Sequence, residues 1–229
     1  MSQSALDSFL DKWRDRWPEW AVAEPFVPPP QRRLALAWFS VLQEFEDIMN
    51  VAGDPLPADA KLVWWQQELR DWSGQRSRHP LGRLLEPVRA PWAQLASTLP
   101  AMQEARAQPA SLEQALKALQ GFAEAVAAVE RALFERHVAE DDARTIAVQW
   151  LQARNAAAAV LARPPGTDAA SWQATLLKAW PAKPKLARPR RVWSRIARLR
   201  LKREYAGKGA FAPPLQQLWH SWRAASGGA

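Results

Sequence analysis

The sequence predicts an all-α protein, on three observations. Apolar residues recur at intervals of three and four in one segment after another. Nothing alternates apolar and polar residues over a useful length, as a half-buried strand would. The helix-breaking residues cluster between the periodic segments, as PFVPPP, GDPLP, RPPG and PAKP. There is no internal repeat. With 229 residues, 48% of them hydrophobic, the chain is long enough for one large domain with a sizeable core.

Residues 4–17 predict a short amphipathic helix with Leu6, Phe9, Leu10, Trp13 and Trp17 on one face, ended by Pro18. The prolines that follow predict an extended segment, AVAEPFVPPPQRR. A very apolar helix runs from about Gln31 to Val51, and the turn after it holds Gly53, Asp54, Pro55 and Pro57. Asp59 is expected to cap the next helix, whose face is Leu62, Trp65, Leu69 and Trp72 and which Ser73-Gly74 stops. His79-Pro80 starts another helix, since proline in a first turn leaves no N–H unpaired. Residues 91–107 hold one more, interrupted by Pro100.

Ser111, with Gln114 three residues on, opens a strong helix with a capping box. Its buried face is Leu112, Leu116, Leu119, Phe122, Val126, Val129 and Leu133. Asp141-Asp142 cap a helix over about 143–162, and a short helix spans Ser171 to Trp180. A Pro/Lys/Arg linker (181–190), a basic helix (191–204) and a last short helix (214–224) complete the chain. The expected organisation is a helical domain at 1–180 and a basic C-terminal extension at 181–229.

The absence of cysteine excludes disulfides, thiol nucleophiles and Cys-zinc sites. The N-terminal residues are charged throughout, with no apolar signal-type core, and no run approaches the ~20 apolar residues of a membrane span. The expectation is a cytoplasmic protein, with peripheral contact at the inner face of a membrane suggested by its charge. The net charge of +8 arises from one end: residues 161–229 hold 14 Lys and Arg against Asp168 and Glu204 alone. Such asymmetry points to a polyanion or an anionic membrane. In the basic helix, Val192, Ile196 and Leu199, flanked by Trp193, share one side, while Arg191, Arg195, Arg198 and Lys202 lie largely on the other. That is the pattern of an interfacial helix for anionic lipid. No nucleic-acid-binding module accompanies it, so nucleic acid ranks below lipid; a solvated tail packed on the domain is the plain alternative. Fourteen Trp against one Tyr fits high-GC codon usage or a large apolar ligand cavity.

The apolar central helix carries one polar stripe: Gln43, Glu46, Asp47 and Asn50, at i, i+3, i+4, i+7. Buried polar groups without partners cost a few kcal/mol each, so the stripe faces either a polar cavity or the wet edge of the bundle. Glu44 and Asp54 are expected in solvent. His79 is expected to serve the helix start rather than act as a base. His137 and His220 have no second ligand at metal spacing. There is no glycine-rich phosphate loop and no G-x-S-x-G elbow.

At Trp38–Leu85 the chain resembles the squalene/phytoene synthase family, the all-α head-to-head prenyl synthases. Trp38, Phe39, Val41 and Gln43 fall on the Leu, Tyr, Phe and Arg of that family's first helix, and Glu46-Asp47-Ile48-Met49-Asn50 on its first aspartate-rich motif. LVWWQQEL and HPLGRLL look like its W-x-x-E-L and H-P segments. The resemblance implies a prenyl-synthase bundle in which two acidic clusters hold Mg²⁺ against a prenyl diphosphate across a largely apolar cavity. On this resemblance Glu46 and Asp47 are the metal-ligand candidates, with Asn50 beside them. The second cluster is lost. Leu151-Gln152-Ala153-Arg154-Asn155 fits the start of the family's later helix, but its two Asp positions fall on Ala159 and Arg163. Gln152, Asn155 and Arg163 remain as polar candidates opposite the stripe. Arg163 is either a guanidinium that contacts diphosphate in place of the metal or a helix C-terminal charge.

Three functional readings follow. The first is a squalene/phytoene synthase-like protein of isoprenoid metabolism that binds a prenyl diphosphate or related isoprenoid and is catalytically degenerate. The second is a membrane-associated interaction or assembly factor on the same fold. The third is an active prenyl transferase with a rearranged metal site. Oligomeric state is not legible.

Overall fold

The computed structural model describes residues 3–51, 54–134, 141–155, 163–182 and 184–227. Every regular element among them is helical. The α-helices are α1 (Gln3–Arg16), α2 (Trp20–Ala23), α3 (Pro29–Met49), α4 (Leu56–Ser73), α5 (Gly82–Leu85), α6 (Trp92–Glu104), α7 (Leu112–Phe134), α8 (Asp141–Asn155), α9 (Ala169–Ala179), α10 (Arg188–Tyr205) and α11 (Pro214–Ser226). None is long and apolar enough to cross a membrane.

Helix α3 is the axis of the bundle and is buried on nearly every side from Ala35 to Met49. Toward α1 and α10, Phe39 packs 4.4 Å from Trp193, 5.6 Å from Trp13 and 5.7 Å from Trp20, measured between ring centroids. On another side Phe45 meets Trp65 edge-on at 5.4 Å. The chain of rings continues from Trp65 to Trp72 at 6.2 Å, Trp72 to Trp92 at 5.1 Å and Trp92 to Trp38 at 6.0 Å. These are favourable edge-to-face and tilted geometries. The tryptophans therefore serve as core: indole rings occupy the interior around α3 where the resemblance implied a largely apolar cavity. Helices α4, α6, α7 and α8 pack each against the next.

Two buried carboxylates pin this core. Glu130 of α7 accepts the Trp38 indole N–H at 2.8 Å and two hydrogen bonds from Arg190 Nε, at 2.9 and 3.1 Å, with the Arg190 Nη2 also on the carboxylate. Glu68 of α4, wholly buried, accepts the Trp72 indole N–H at 2.8 Å and the backbone N–H groups of Arg78 and His79 at 2.7 Å each. The W-x-x-E-L and H-P segments are thus joined physically: the first supplies the acceptor that shapes the second. His79 Nδ1 accepts the Leu81 N–H, and burial pushes its pKa down to about 4, so it serves the turn as a neutral ring. A Cβ at Gly82 would stand 2.4 Å from the Ser77 Cβ, so only glycine fits there.

The periodicity placed most helices within a few residues of their observed bounds, and several expectations are corrected. The segment expected to be extended holds α2 and a 3-10 turn, Glu24–Phe26, because Pro25 sits in a first turn where no N–H is missed. Asp59 does not cap α4. Asp54 Oδ1 accepts the Leu56 N–H at 3.0 Å, and Asp59 pairs with Arg106. Glu44 is buried rather than exposed, held at 2.9 Å by Lys12 and 2.6 Å by Lys61. Ser111 caps α7 as expected, accepting the Gln114 N–H at 3.2 Å, while Gln114 Oε1 accepts from Ala110 N–H at 2.6 Å.

The interfacial reading of α10 is also corrected. Val192, Trp193, Ile196 and Leu199 are all buried, and the first three belong to the same core cluster as α3, so this apolar face is spent inside the protein. Arg191 is occupied too: its guanidinium bonds the Ala224, Ala225 and Leu186 carbonyls, clamping α11 to α10.

Candidate functional site

The C-terminal end of α3 opens onto a cleft of about 870 Å³. Its wall is assembled from five places in the chain. Arg16 and Trp17 come from the end of α1, Glu46, Asp47 and Asn50 from α3, and Gln149, Gln152 and Ala153 from α8. Arg163 precedes α9, which contributes Gln173; α10 supplies Arg200, Leu201 and Glu204. Glu46, Asp47, Asn50, Gln152 and Arg163, singled out over more than a hundred residues of sequence, therefore share one cleft. Gln43 is buried in α3 without lining it. The Asn155 side chain and Ala159 lie outside the described residues, as does His137.

The carboxylates are met by cations. Asp47 Oδ1 accepts from Arg16 at 2.6 Å and Oδ2 from Lys12 at 2.8 Å. Burial alone would raise Asp47, but the Lys12 and Arg16 contacts outweigh it and hold the carboxyl below its usual range. Glu46 differs. Burial pushes its pKa up to about 7, with Arg16 at 3.7 Å as the nearest opposing charge. Arg200 lies over the Trp17 ring at 3.9 Å and is paired with Glu19 at 2.5 Å. The Arg163 guanidinium makes no hydrogen bond or ion pair among the described residues, while its carbonyl accepts from Gln108.

Several amide groups at the cleft lack partners among the described residues. Both polar atoms of Gln149 are buried and unsatisfied, as are Asn50 Oδ1 and Gln152 Oε1. The other ends of two of these amides are fixed: Asn50 Nδ2 donates to the Ala153 carbonyl at 3.4 Å and Gln152 Nε2 to the Ala197 carbonyl at 3.0 Å. Unmet polar atoms at a cleft wall are where a polar ligand or ordered water finds its bonds.

This donor set does not fit a magnesium ion. Both Asp47 oxygens are taken by basic side chains, burial raises the Glu46 pKa to about 7 so that its carboxylate is only partly formed at neutral pH, and the described residues offer no group of three carboxylate or imidazole ligands. What the cleft offers besides these carboxyls is guanidinium and amide groups, which suit anionic oxygen.

Arg16, Gln149, Gln173, Arg200 and Glu204 were not singled out by sequence reasoning. Arg16 and Arg200 belong to charged stretches in which nothing distinguishes a cleft residue from a solvated one. Gln149 lies three residues before Gln152, a helical spacing that places both on one side of α8 and could have drawn attention to it. Comparison with protein families, with curated proteins and with solved structures returns no match to this chain.

Proposed function

We propose that the protein is a catalytically degenerate relative of the squalene/phytoene synthases that binds the head group of an isoprenoid diphosphate in the α3/α8/α10 cleft. One observation carries this reading: the residues on which the resemblance rests, Glu46, Asp47, Asn50 and Gln152, meet in one cleft with Arg163. Arg163, unpaired among the described residues, and Arg16, which can exchange Asp47 for a ligand, are the groups that would take the diphosphate oxygens without a metal bridge. Gln149 and Gln152 would complete its hydrogen bonds. The cleft lacks the metal centre that condensation requires: Asp47 is held by Lys12 and Arg16, and the described residues offer no group of three carboxylate or imidazole ligands.

Calorimetric titration with farnesyl diphosphate and with inorganic pyrophosphate tests this. Binding of both without magnesium, weakened at least about tenfold by Arg163→Gln, is expected from the loss of one charge-assisted contact. No binding at millimolar diphosphate refutes it. Formation of a condensed prenyl product would overturn the degenerate reading in favour of an active transferase.

A second reading, an interaction or assembly factor on a prenyl-synthase-like bundle, is favoured by the packed indole interior. Rings in contact through Trp65, Trp72, Trp92 and Trp38 occupy volume that a long prenyl chain would need. Binding of pyrophosphate and farnesyl diphosphate with equal affinity would point this way, since the prenyl tail would then contribute nothing.

A further inference from the structure

Helix α11 is amphipathic in the wrong sense for a protein surface in water. Its buried edge is Gln217, Ser221 and Ala224. Its outward edge is Leu215, Leu218, Trp219 and Trp222, at i, i+3, i+4, i+7, with Leu215 81% exposed and Trp222 54% exposed. Phe211, just before the helix, is exposed as well. The inward residues have a local reason. Gln217 donates to Ser221 Oγ at 3.1 Å, and small side chains let the α11 backbone approach Arg191 of α10, which bonds its last carbonyls. That leaves the large apolar side chains on one continuous outer face, which contiguous exposure marks as an interaction surface.

The chemistry beside that face identifies the occupant. Arg195 and Lys202 of α10 and Arg223 of α11 gather around His220, whose Nδ1 accepts a hydrogen bond from Arg195 at 3.1 Å, and Arg198 of α10 stands near Arg195 and Lys202. The cluster is mutually repulsive: Arg198 and Arg223 both oppose the charge on Arg195, and Arg198 and Arg195 oppose that on Lys202. No salt bridge reaches any of these four cations among the described residues. Arg223 also lies over the Trp219 ring at 4.7 Å, joining the charged cluster to the apolar face. Indoles and leucines beside uncompensated cations, on a helix too short to span a bilayer, suit the interface of an anionic membrane.

We propose that the outer face of α11, with the Arg195/Arg198/Lys202/Arg223 cluster, docks the protein onto anionic lipid. Leu215, Leu218, Trp219 and Trp222 enter the headgroup region while the cations meet lipid phosphates. The face adjoins the cleft through Arg200, whose guanidinium stacks on Phe211 at 5.0 Å and on Trp17 at 3.9 Å. The docking surface does not depend on what the cleft binds.

The test is co-sedimentation of the full chain with vesicles of phosphatidylcholine alone and of phosphatidylcholine with phosphatidylglycerol. Binding to the anionic vesicles is expected, with salt sensitivity, and with tryptophan fluorescence quenched by brominated lipid. Leu218→Gln with Trp222→Gln, both at exposed positions, should weaken binding at least about tenfold while leaving the helical circular dichroism unchanged. Lys202→Gln with Arg223→Gln should remove the preference for phosphatidylglycerol. Failure to bind anionic vesicles overturns the proposal, as does binding that the Leu218/Trp222 variant leaves intact. A concentration-dependent dimer in sedimentation velocity that this variant abolishes would overturn it too, giving the face to a second copy of the chain.

Discussion

Replacing Glu46 with glutamine should make the protein more stable at alkaline pH and leave it unchanged at acid pH. The Glu46 side chain is 5% exposed, and burial moves its pKa from the usual 4.5 to about 7. The folded chain therefore holds this proton more tightly than the unfolded chain does. The resulting stability is fully present below pH 4.5 and is lost as pH rises through 7. Above pH 7 the buried carboxylate costs the fold up to about 3 kcal/mol, which the amide of Glu46→Gln does not incur. Arg16 keeps its 2.6 Å partner Asp47 in the variant, so no cation is stranded. Urea unfolding followed by tryptophan fluorescence, from about pH 4 to about pH 8, measures the difference. The two proteins should agree within about 0.5 kcal/mol at the acid end and diverge toward the alkaline end. A difference that is constant with pH, or a variant less stable at the alkaline end, would show that folding does not raise the Glu46 pKa and would refute the burial reading.

Arg190→Met should destabilise the fold by about 3–5 kcal/mol in urea, since it strands the buried Glu130 carboxylate; adding Glu130→Gln should recover a large part of that loss. Glu68→Ala should cost about 2–4 kcal/mol and speed hydrogen exchange at Arg78 and His79, whose N–H groups lose their acceptor. Arg191→Ala should release the end of α11 from α10, seen as faster exchange across α11 with a loss of about 1–2 kcal/mol in global stability.

Much of the fold was legible because burial writes itself into period and punctuation. The faces of α1, α4 and α7 were read from spacing, and the Ser111 and Gly74 boundaries from capping chemistry. The polar stripe was legible as well, since Glu46, Asp47 and Asn50 are local to one helix. The other half of the cleft was only partly so. Gln152 and Arg163 came from the resemblance, while Arg16 and Arg200, which lie on its rim and set its charge, came from neither pattern nor resemblance. Ion pairing between residues some thirty apart, such as Arg16 with Asp47 or Lys12 with Glu44, has no sequence period, because it depends on how helices cross. The same holds for Glu44, whose burial depends on two lysines from different helices.

The sequence by itself determined that the chain is helical, where most of its helices run, and that its polar central helix edge needed an explanation. Tertiary structure decided which apolar faces are core and which are surface. Helices α10 and α11 both carry an apolar stripe and basic neighbours, and period alone ranks them equally. Only packing assigns the α10 stripe to Phe39 and the core and leaves the α11 stripe outside, because one bundle has room for one of them. Tertiary structure likewise decided the character of the cleft. It set Lys12 and Arg16 against Asp47 and buried Glu46 beside them, so that electrostatics and desolvation, neither written in local sequence, determine which charges a ligand meets.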